Sequence, residues 1–290
     1  MSCPLNSGME KTPEKMNNLI FIATLILYFF SMAGFLAAFL SMRKGAEKVA
    51  CLFLYAGFAA HTVCVAARWI SDGHPPLVNM FETLSFFAWV LAGLFILLQY
   101  GYRLKSAGAF VMPLVVMIMT TSAMQSREVM PLPPVLKSAW LPVHATVCLV
   151  SYALMALAFA IAVMYLLQER QIRKRRFGLL FSRLPSLETL DRITEKCLKI
   201  GFPLLSLGII TGSIWADQAW GTYWSWDPKE TWSLVVWFLY AALLHQRLTT
   251  GWRGRKAAWL TIAGFAAICF SFVGVTYLLP GAHSYATWFE

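Results

Sequence analysis

Five histidines, His61, His74, His144, His245 and His283, are the side chains of this chain best suited to hold a metal. Six of its twelve tryptophans crowd into one stretch, Trp215–Trp237, which reads WADQAWGTYWSWDPKETWSLVVW. Neutral imidazole is a good ligand for iron, and two imidazoles on opposite faces hold a haem axially. A lone histidine at a membrane interface more commonly makes hydrogen bonds, so the tryptophans matter to the reading. Trp and Tyr anchor helix ends at the lipid headgroup level, and one or two per end suffice. Trp220, Tyr223, Trp224, Trp226 and Trp232 exceed that need, with Asp227, Pro228, Lys229 and Glu230 among them. A dense aromatic surface carrying a few polar groups suits a large, flat, mostly apolar ligand.

The elements that must position these groups are apolar helices. The chain is 59% hydrophobic and 13% charged, and runs of about 20 apolar residues, each enough to cross a hydrocarbon core of roughly 30 Å, recur along it. The expected fold is all-α: a polytopic integral membrane protein with eight spanning segments, at about 19–42, 49–69, 83–101, 107–124, 141–168, 200–216, 231–246 and 257–279. Residues 1–18 form a polar N-terminus without a cleavable signal pattern, and 19–290 a single transmembrane domain. The loops after segments one, three, five and seven hold eighteen Lys and Arg, against six on the other side. The positive-inside rule then puts both termini and the tryptophan loop, 215–232, outside the cytoplasm. Basic residues in such a chain report topology before nucleic acid, and no nucleic-acid partner is expected.

Counting along the segments sorts the histidines by depth. His144 opens the fifth segment and His283 follows the eighth, so both fall at the outer level of the tryptophan loop. His245 lies about 21 Å inward from Thr231, and His61 about 12 Å below the outer end of the second segment. His74 is in an outer loop, where a polar loop role is the plainer reading. His245, a titratable group inside the membrane, is a functional candidate by default. The six cysteines form no CxxC pair and give neither a disulfide framework nor a zinc site. The cytoplasmic stretch 169–199 begins with a basic run that suits lipid headgroups. It then turns helical behind the N-cap Ser186, with Leu187, Leu190, Ile193 and Leu198 on one face, and is expected to lie along the membrane surface. Gly208-Ile-Ile-Thr-Gly212 has the small-xxx-small spacing of close helix packing, which explains it sufficiently.

Trp220-Gly-Thr-Tyr-Trp224-Ser-Trp226-Asp227-Pro-Lys-Glu230 resembles the tryptophan-rich WWD signature of haem-handling proteins. The chain from about residue 50 onward is similar to the CcsA (ResC) branch of that family, used in system II cytochrome c biogenesis. The likeness extends to Gly73-His-Pro-Pro, Asn79-Met-Phe-Glu82, Leu187-Glu-Thr-Leu-Asp-Arg192 and Gly201-Phe-Pro-Leu-Leu. It implies that His144 and His283 are the two outer haem ligands, and that His245 belongs to a deeper haem site. The second ligand of that deeper site would come from a companion membrane protein, CcsB (ResB), unless His61 supplies it. The metal is then haem iron, the cofactor haem b as substrate and bound ligand, and the platform Trp220, Trp224, Trp226, Asp227 and Trp232.

The resemblance further implies the function. The chain would be the haem-binding membrane subunit of a cytochrome c synthase in a bacterial inner membrane, carrying haem outward. With CcsB it would present haem for thioether attachment to the Cys-x-x-Cys-His motif of apocytochrome c, with thiol-reducing proteins as further partners. The substrate's thiols are the nucleophiles, so the chain's task is positioning, and no catalytic residue is assigned. Asp227 as a proton donor to a vinyl group is the less favoured of its readings. Two other classes compete: a haem exporter or chaperone without ligation activity, and a b-type cytochrome electron-transfer subunit. Histidines paired across helices at matching depth would mark the last, and His61 and His245 differ in depth.

Overall fold

A computed structural model of the chain describes residues 11–41, 44–127 and 137–279, and every regular element among them is helical. The helices are α1 (Lys11–Ser41), α2 (Lys44–Asp72), α3 (Met80–Tyr102), α4 (Gly108–Ala123), α5 (Trp140–Arg173), the short α6 (Leu179–Arg183), α7 (Leu187–Trp220), α8 (Pro228–Thr249) and α9 (Arg255–Cys269). The last runs through a π-helical turn, Phe270–Gly274, into α10 (Val275–Leu278). Seven helical stretches among the described residues are long and apolar enough to cross a membrane. α8 has 22 residues, about 33 Å of helix, and its aromatic and polar side chains lower its mean hydropathy. The protein is a polytopic all-α membrane protein, and each of the eight expected segments falls on one helical stretch.

The departures are at the ends of segments. α1 begins at Lys11, inside the stretch read as a polar N-terminus. The segment expected along the membrane surface is instead the first part of α7, a 34-residue helix that continues past Pro203 without interruption. Ser186 is its N-cap as expected, accepting a hydrogen bond from the Thr189 amide. Leu190, Ile193 and Leu198 are buried, so that face packs inside the protein and does not rest on lipid. Arg247 of α8 explains why: its guanidinium grips Asp191 through both nitrogens, at 3.1 and 2.9 Å, and lies 3.5 Å from Glu195. A buried ion pair of this kind costs about 3–5 kcal/mol to break from one side, which holds the start of α7 to the end of α8.

The chain divides into two compact units, Met1–Gly93 with Met112–Val129, and Leu94–Val111 with Met130–Glu290. In the first, α1 and α2 approach closely because glycines face bulk: a Cβ on Gly34 would lie 2.9 Å from the Ala50 Cβ, and one on Gly57 2.8 Å from the Tyr28 ring. Small residues at such crossings allow the dispersion contacts that hold helices together in lipid. In the second unit α5 and α7 pair in the same way. Gly201 faces Met155 and Leu154, Gly208 faces Cys148, and Gly212 faces His144. The Ser151 hydroxyl donates to the Gly201 carbonyl at 2.8 Å and fixes the register.

Candidate functional site

His144 stands on the first turns of α5 in a seat made by α7. A side chain on Gly212 would put its Cβ 2.6 Å from the imidazole Cε1, and one on Gly208 would put its Cβ 2.5 Å from the Cys148 Sγ. The spacing read as packing alone thus makes room for a specific histidine. His144 Nδ1 lies 2.8 Å from the Gly208 carbonyl oxygen. A carbonyl only accepts, so Nδ1 carries the proton and Nε2 is the lone-pair nitrogen. A backbone carbonyl that takes one ring N–H in this way fixes the imidazole's tautomer and orientation and leaves the other nitrogen able to bind a metal. Trp215 stacks on the ring at 6.1 Å between centroids and 15° between planes, and Trp220 meets Trp215 edge-to-face at 5.1 Å.

Trp215 was not among the expected platform residues. The signal was available: Gly208, Gly212 and Trp215 fall at i, i+4 and i+7, one face of a helix. The tryptophan stretch is also less of a loop than its composition suggests. Trp215 and Trp220 are on α7, Trp232 is on α8, and only Gly221–Asp227 between them lacks helical structure. Gly221 ends α7 in the left-handed conformation, φ +78°, which glycine adopts without steric cost. Trp226 also has positive φ, +60°, so the alternation expected of an extended segment is broken there. Trp224 and Trp226 meet at 90° with centroids 5.8 Å apart, and Trp226 is 68% exposed. Angles of 73° and 90° make these edge-to-face pairs, not a common plane.

Asp227 begins α8 with a capping box. Its carboxylate accepts from the Lys229 amide at 2.9 Å, and Glu230 Oε2 reaches back to the Asp227 amide at 3.2 Å. The same Glu230 oxygen accepts from the Ser225 amide and hydroxyl, at 2.8 and 3.2 Å, which pins the loop to the helix. Pro228 at the first helical position completes the start. Asp227 is buried and belongs to this cap. Lys229 points the other way: its ammonium donates to the Thr276 hydroxyl at 3.3 Å and lies 5.5 Å above the Phe272 ring. Trp232 packs on Phe270 at 4.4 Å, so the wide π-helical turn carries the groups that α8 meets.

Register ties these groups to His144. Trp237 Nε1 donates to Ser206 Oγ at 2.9 Å across the antiparallel α7 and α8. Six residues outward along each helix bring Thr231 about level with Gly212, and therefore with His144, and set Lys229 two residues, about 3 Å, further out. His283 lies outside the described residues. Counted along the chain it follows shortly after Leu279, where the described part of this strand of helix stops.

The remaining histidines separate clearly. His61 is fully buried, with Nδ1 3.3 Å from the Tyr28 hydroxyl and Nε2 3.0 Å from the Ser85 hydroxyl. Both ring nitrogens are engaged, so His61 is a hydrogen-bonded core residue and not a ready iron ligand. His74 Nδ1 contacts the carbonyl of Pro75 in its loop, at 3.1 Å. His245 is exposed on α8, on a stripe with Phe238, Ala242 and Leu248.

The architecture defines a class: a multi-helix membrane protein with a histidine and indoles gathered at one end of a helical unit. The family model of the cytochrome C assembly proteins matches residues 77–283, and the chain belongs to that family. It is similar to the protein named cytochrome c biogenesis protein CcsA in Guillardia theta, 39% identical over 77% of this chain and 81% of that one. To the CcsA of Synechococcus sp. strain JA-2-3B'a(2-13) it is 34% identical over 94% of both chains. A solved structure titled Cytochrome c Heme Lyase CcmF shares the fold with a TM-score of 0.68 at 18% identity. That likeness covers all of this chain and half of the lyase.

Proposed function

We propose that this chain is the haem-binding subunit of a cytochrome c synthase. It would hold haem as substrate at the end of the second unit and present it to apocytochrome c. The observation that carries the reading is the seat of His144, whose Nδ1 is committed to the Gly208 carbonyl beside the Trp215 indole. An imidazole held in one tautomer and one orientation, beside apolar ring surface, fits what an axial ligand to haem iron requires. His283 would be the opposing ligand. Trp220, Trp224, Trp226 and Trp232 would bound the macrocycle, and Lys229 would supply a cation for a propionate.

Haem bound there contributes the vinyl groups, to which the two cysteine thiols of a Cys-x-x-Cys-His motif add. Each thiol's sulfur bonds one vinyl carbon and its hydrogen the other, so nothing leaves. The chain's residues would orient the haem: His144 and His283 would hold the iron, and the indoles would bound the ring. The incoming peptide's histidine would displace one imidazole and so permit release. Asp227 caps α8 with its carboxylate, which favours a positioning role for the signature over proton donation.

His245 would belong to a second, deeper haem b site. An exposed imidazole on a helix face within the membrane is costly unless something covers it. A CcsB-type partner bringing the opposing ligand would do so. His61 is a poor substitute, because both of its nitrogens are already hydrogen-bonded. This also weakens a b-type cytochrome reading, which needs paired intramembrane histidines. The eighteen-to-six division of basic residues supports the tryptophan turn and both termini outside the cytoplasm, and the membrane in this reading is a bacterial inner membrane.

The test supplies a reporter apocytochrome c to membranes holding this chain with and without its CcsB partner. Covalent haem on the reporter, only when both are present and His144 is intact, is the expected result. Outer haem that accumulates free, with no covalent product, would make the protein an exporter instead.

A further inference from the structure

At the opposite end of the second unit, α5 and α9 part to leave a groove of about 720 Å³. Its mouth is basic: Arg170, Arg173 and Lys174 come from the end of α5, and Arg255 from the start of α9. Glu169 is the one carboxylate there, 3.6 Å from Arg173 and 3.9 Å from Arg255, so a surplus of positive charge remains. Deeper in, the walls turn apolar. Leu166 and Val163 follow the basic residues at helical spacing on α5, and Trp259 and Ile262 follow Arg255 on α9. Trp259 is 54% exposed, and the stacking of Phe159 on Phe265 at 4.7 Å joins the two helices further inward. From Arg173 to Val163 the groove runs about 15 Å along α5.

We infer that this groove binds an anionic phospholipid, with the phosphate at the four cations and the glycerol and upper acyl chain along Trp259, Leu166 and Val163. The charge pattern matches that molecule end to end. Guanidinium groups bind phosphate oxygens in paired, charge-assisted hydrogen bonds, and basic pockets between membrane helices select anionic headgroups. A tryptophan at this level suits the polar–apolar boundary of the lipid. The volume lies in the range of roughly 300–1,000 Å³ typical of small-molecule sites. Haem is the less suitable occupant, since no imidazole, thiol, thioether or phenol lines the groove to ligate its iron. The site is separate from the histidine end and stands independently of the haem reading.

Native mass spectrometry of the delipidated full chain, titrated with phosphatidylglycerol and with phosphatidylcholine, tests this. Phosphatidylglycerol should bind at least tenfold more tightly. Arg173→Gln with Arg255→Gln should remove most of that preference, while Arg175→Gln with Arg176→Gln, the same charge change in the adjacent loop, should alter it by less than twofold. Glu169→Gln should tighten binding, a gain that misfolding cannot imitate and that remains readable if the double variant fails to insert. Millimolar glycerol 3-phosphate should not compete, because it lacks the acyl chain. Equal binding of the two lipids, equal loss in the loop variant, weaker binding in Glu169→Gln, full competition by glycerol 3-phosphate, or displacement of the lipid by equimolar haemin would each overturn the assignment.

Discussion

Gly212 has no side chain where the His144 imidazole sits: a Cβ there would fall 2.6 Å from Cε1 and 2.7 Å from Nδ1. The ring cannot move far without losing the Gly208 carbonyl that selects its tautomer. Gly212→Ala therefore acts on the histidine while leaving it in the chain. Overpacking of this kind costs about 1–3 kcal/mol, which a 34-residue helix packed on α5 from Gly201 to Gly212 can absorb. The expected outcome is a protein that accumulates normally, matures cytochrome c at least tenfold less well, and has a shifted haem absorption spectrum. An unchanged spectrum would mean that His144 is not an iron ligand.

His144→Ala and His283→Ala should each abolish attachment with the protein still in the membrane, and added imidazole should restore part of it. Imidazole is a free copy of the lost ligand, and the small cavity left at His144 would admit it. Restoration is measured as covalent haem on a reporter cytochrome. Unchanged yield in either variant would remove that residue from the site.

The start of α8 offers a cleaner test of acid chemistry. Asp227→Asn keeps an oxygen to accept the Lys229 amide but removes any proton to donate. Asn caps nearly as well as Asp, whereas Ala at this position costs about 1 kcal/mol and frees the loop. Asp227→Asn should retain most attachment activity and Asp227→Ala should lose more, with a lower melting temperature. Loss in both variants at equal stability would restore Asp227 as a proton donor.

These tests also show what could be read from residue order. Apolar run length placed all eight helical stretches, because crossing hydrocarbon demands about 20 such residues whatever their partners. Ser186 was legible as a cap, since capping is local. The spacing Asp227-Pro-Lys-Glu230 was equally local, and it reads as a capping box once α8 is known to begin there. His61 needed Tyr28 and Ser85 from two other helices to be understood, and no periodicity supplies that. The glycines of α7 posed the same problem. A small-xxx-small spacing announces a close neighbour, but only helix register says that the neighbour is His144. The apolar face of 187–199 is buried inside the protein, and the Asp191–Arg247 pair that fastens this stretch spans 56 residues, beyond the reach of any local pattern.

The tryptophans can be separated by substitution. If they bound a flat ligand, Trp224→Phe should be tolerated better than Trp224→Ala, because most of the ring area survives. Trp226 is the sharper case: at 68% exposure and positive φ it contributes little to folding, so Trp226→Ala should leave the melting temperature within about 0.5 kcal/mol equivalent of the parent. Haem content should nevertheless fall. Normal haem content with Ala at both positions would assign these rings to membrane anchoring.

His245 sets the order of events. Its side chain is exposed on α8, on a stripe with Phe238 and Leu248. If haem passes from a deep site to the outer one, His245 controls loading and the outer pair controls use. A charged macrocycle crossing about 30 Å of hydrocarbon needs an intermediate ligand, since unpaired polar groups there cost several kcal/mol. His245→Ala should then insert normally yet purify with little haem, while His144→Ala keeps haem at the deep site when the partner is present. Haem content of each purified variant, co-expressed with its partner, measures this directly. Full loading of the outer site in His245→Ala would show that haem arrives by another route, and His245 would then only fasten the partner to α8.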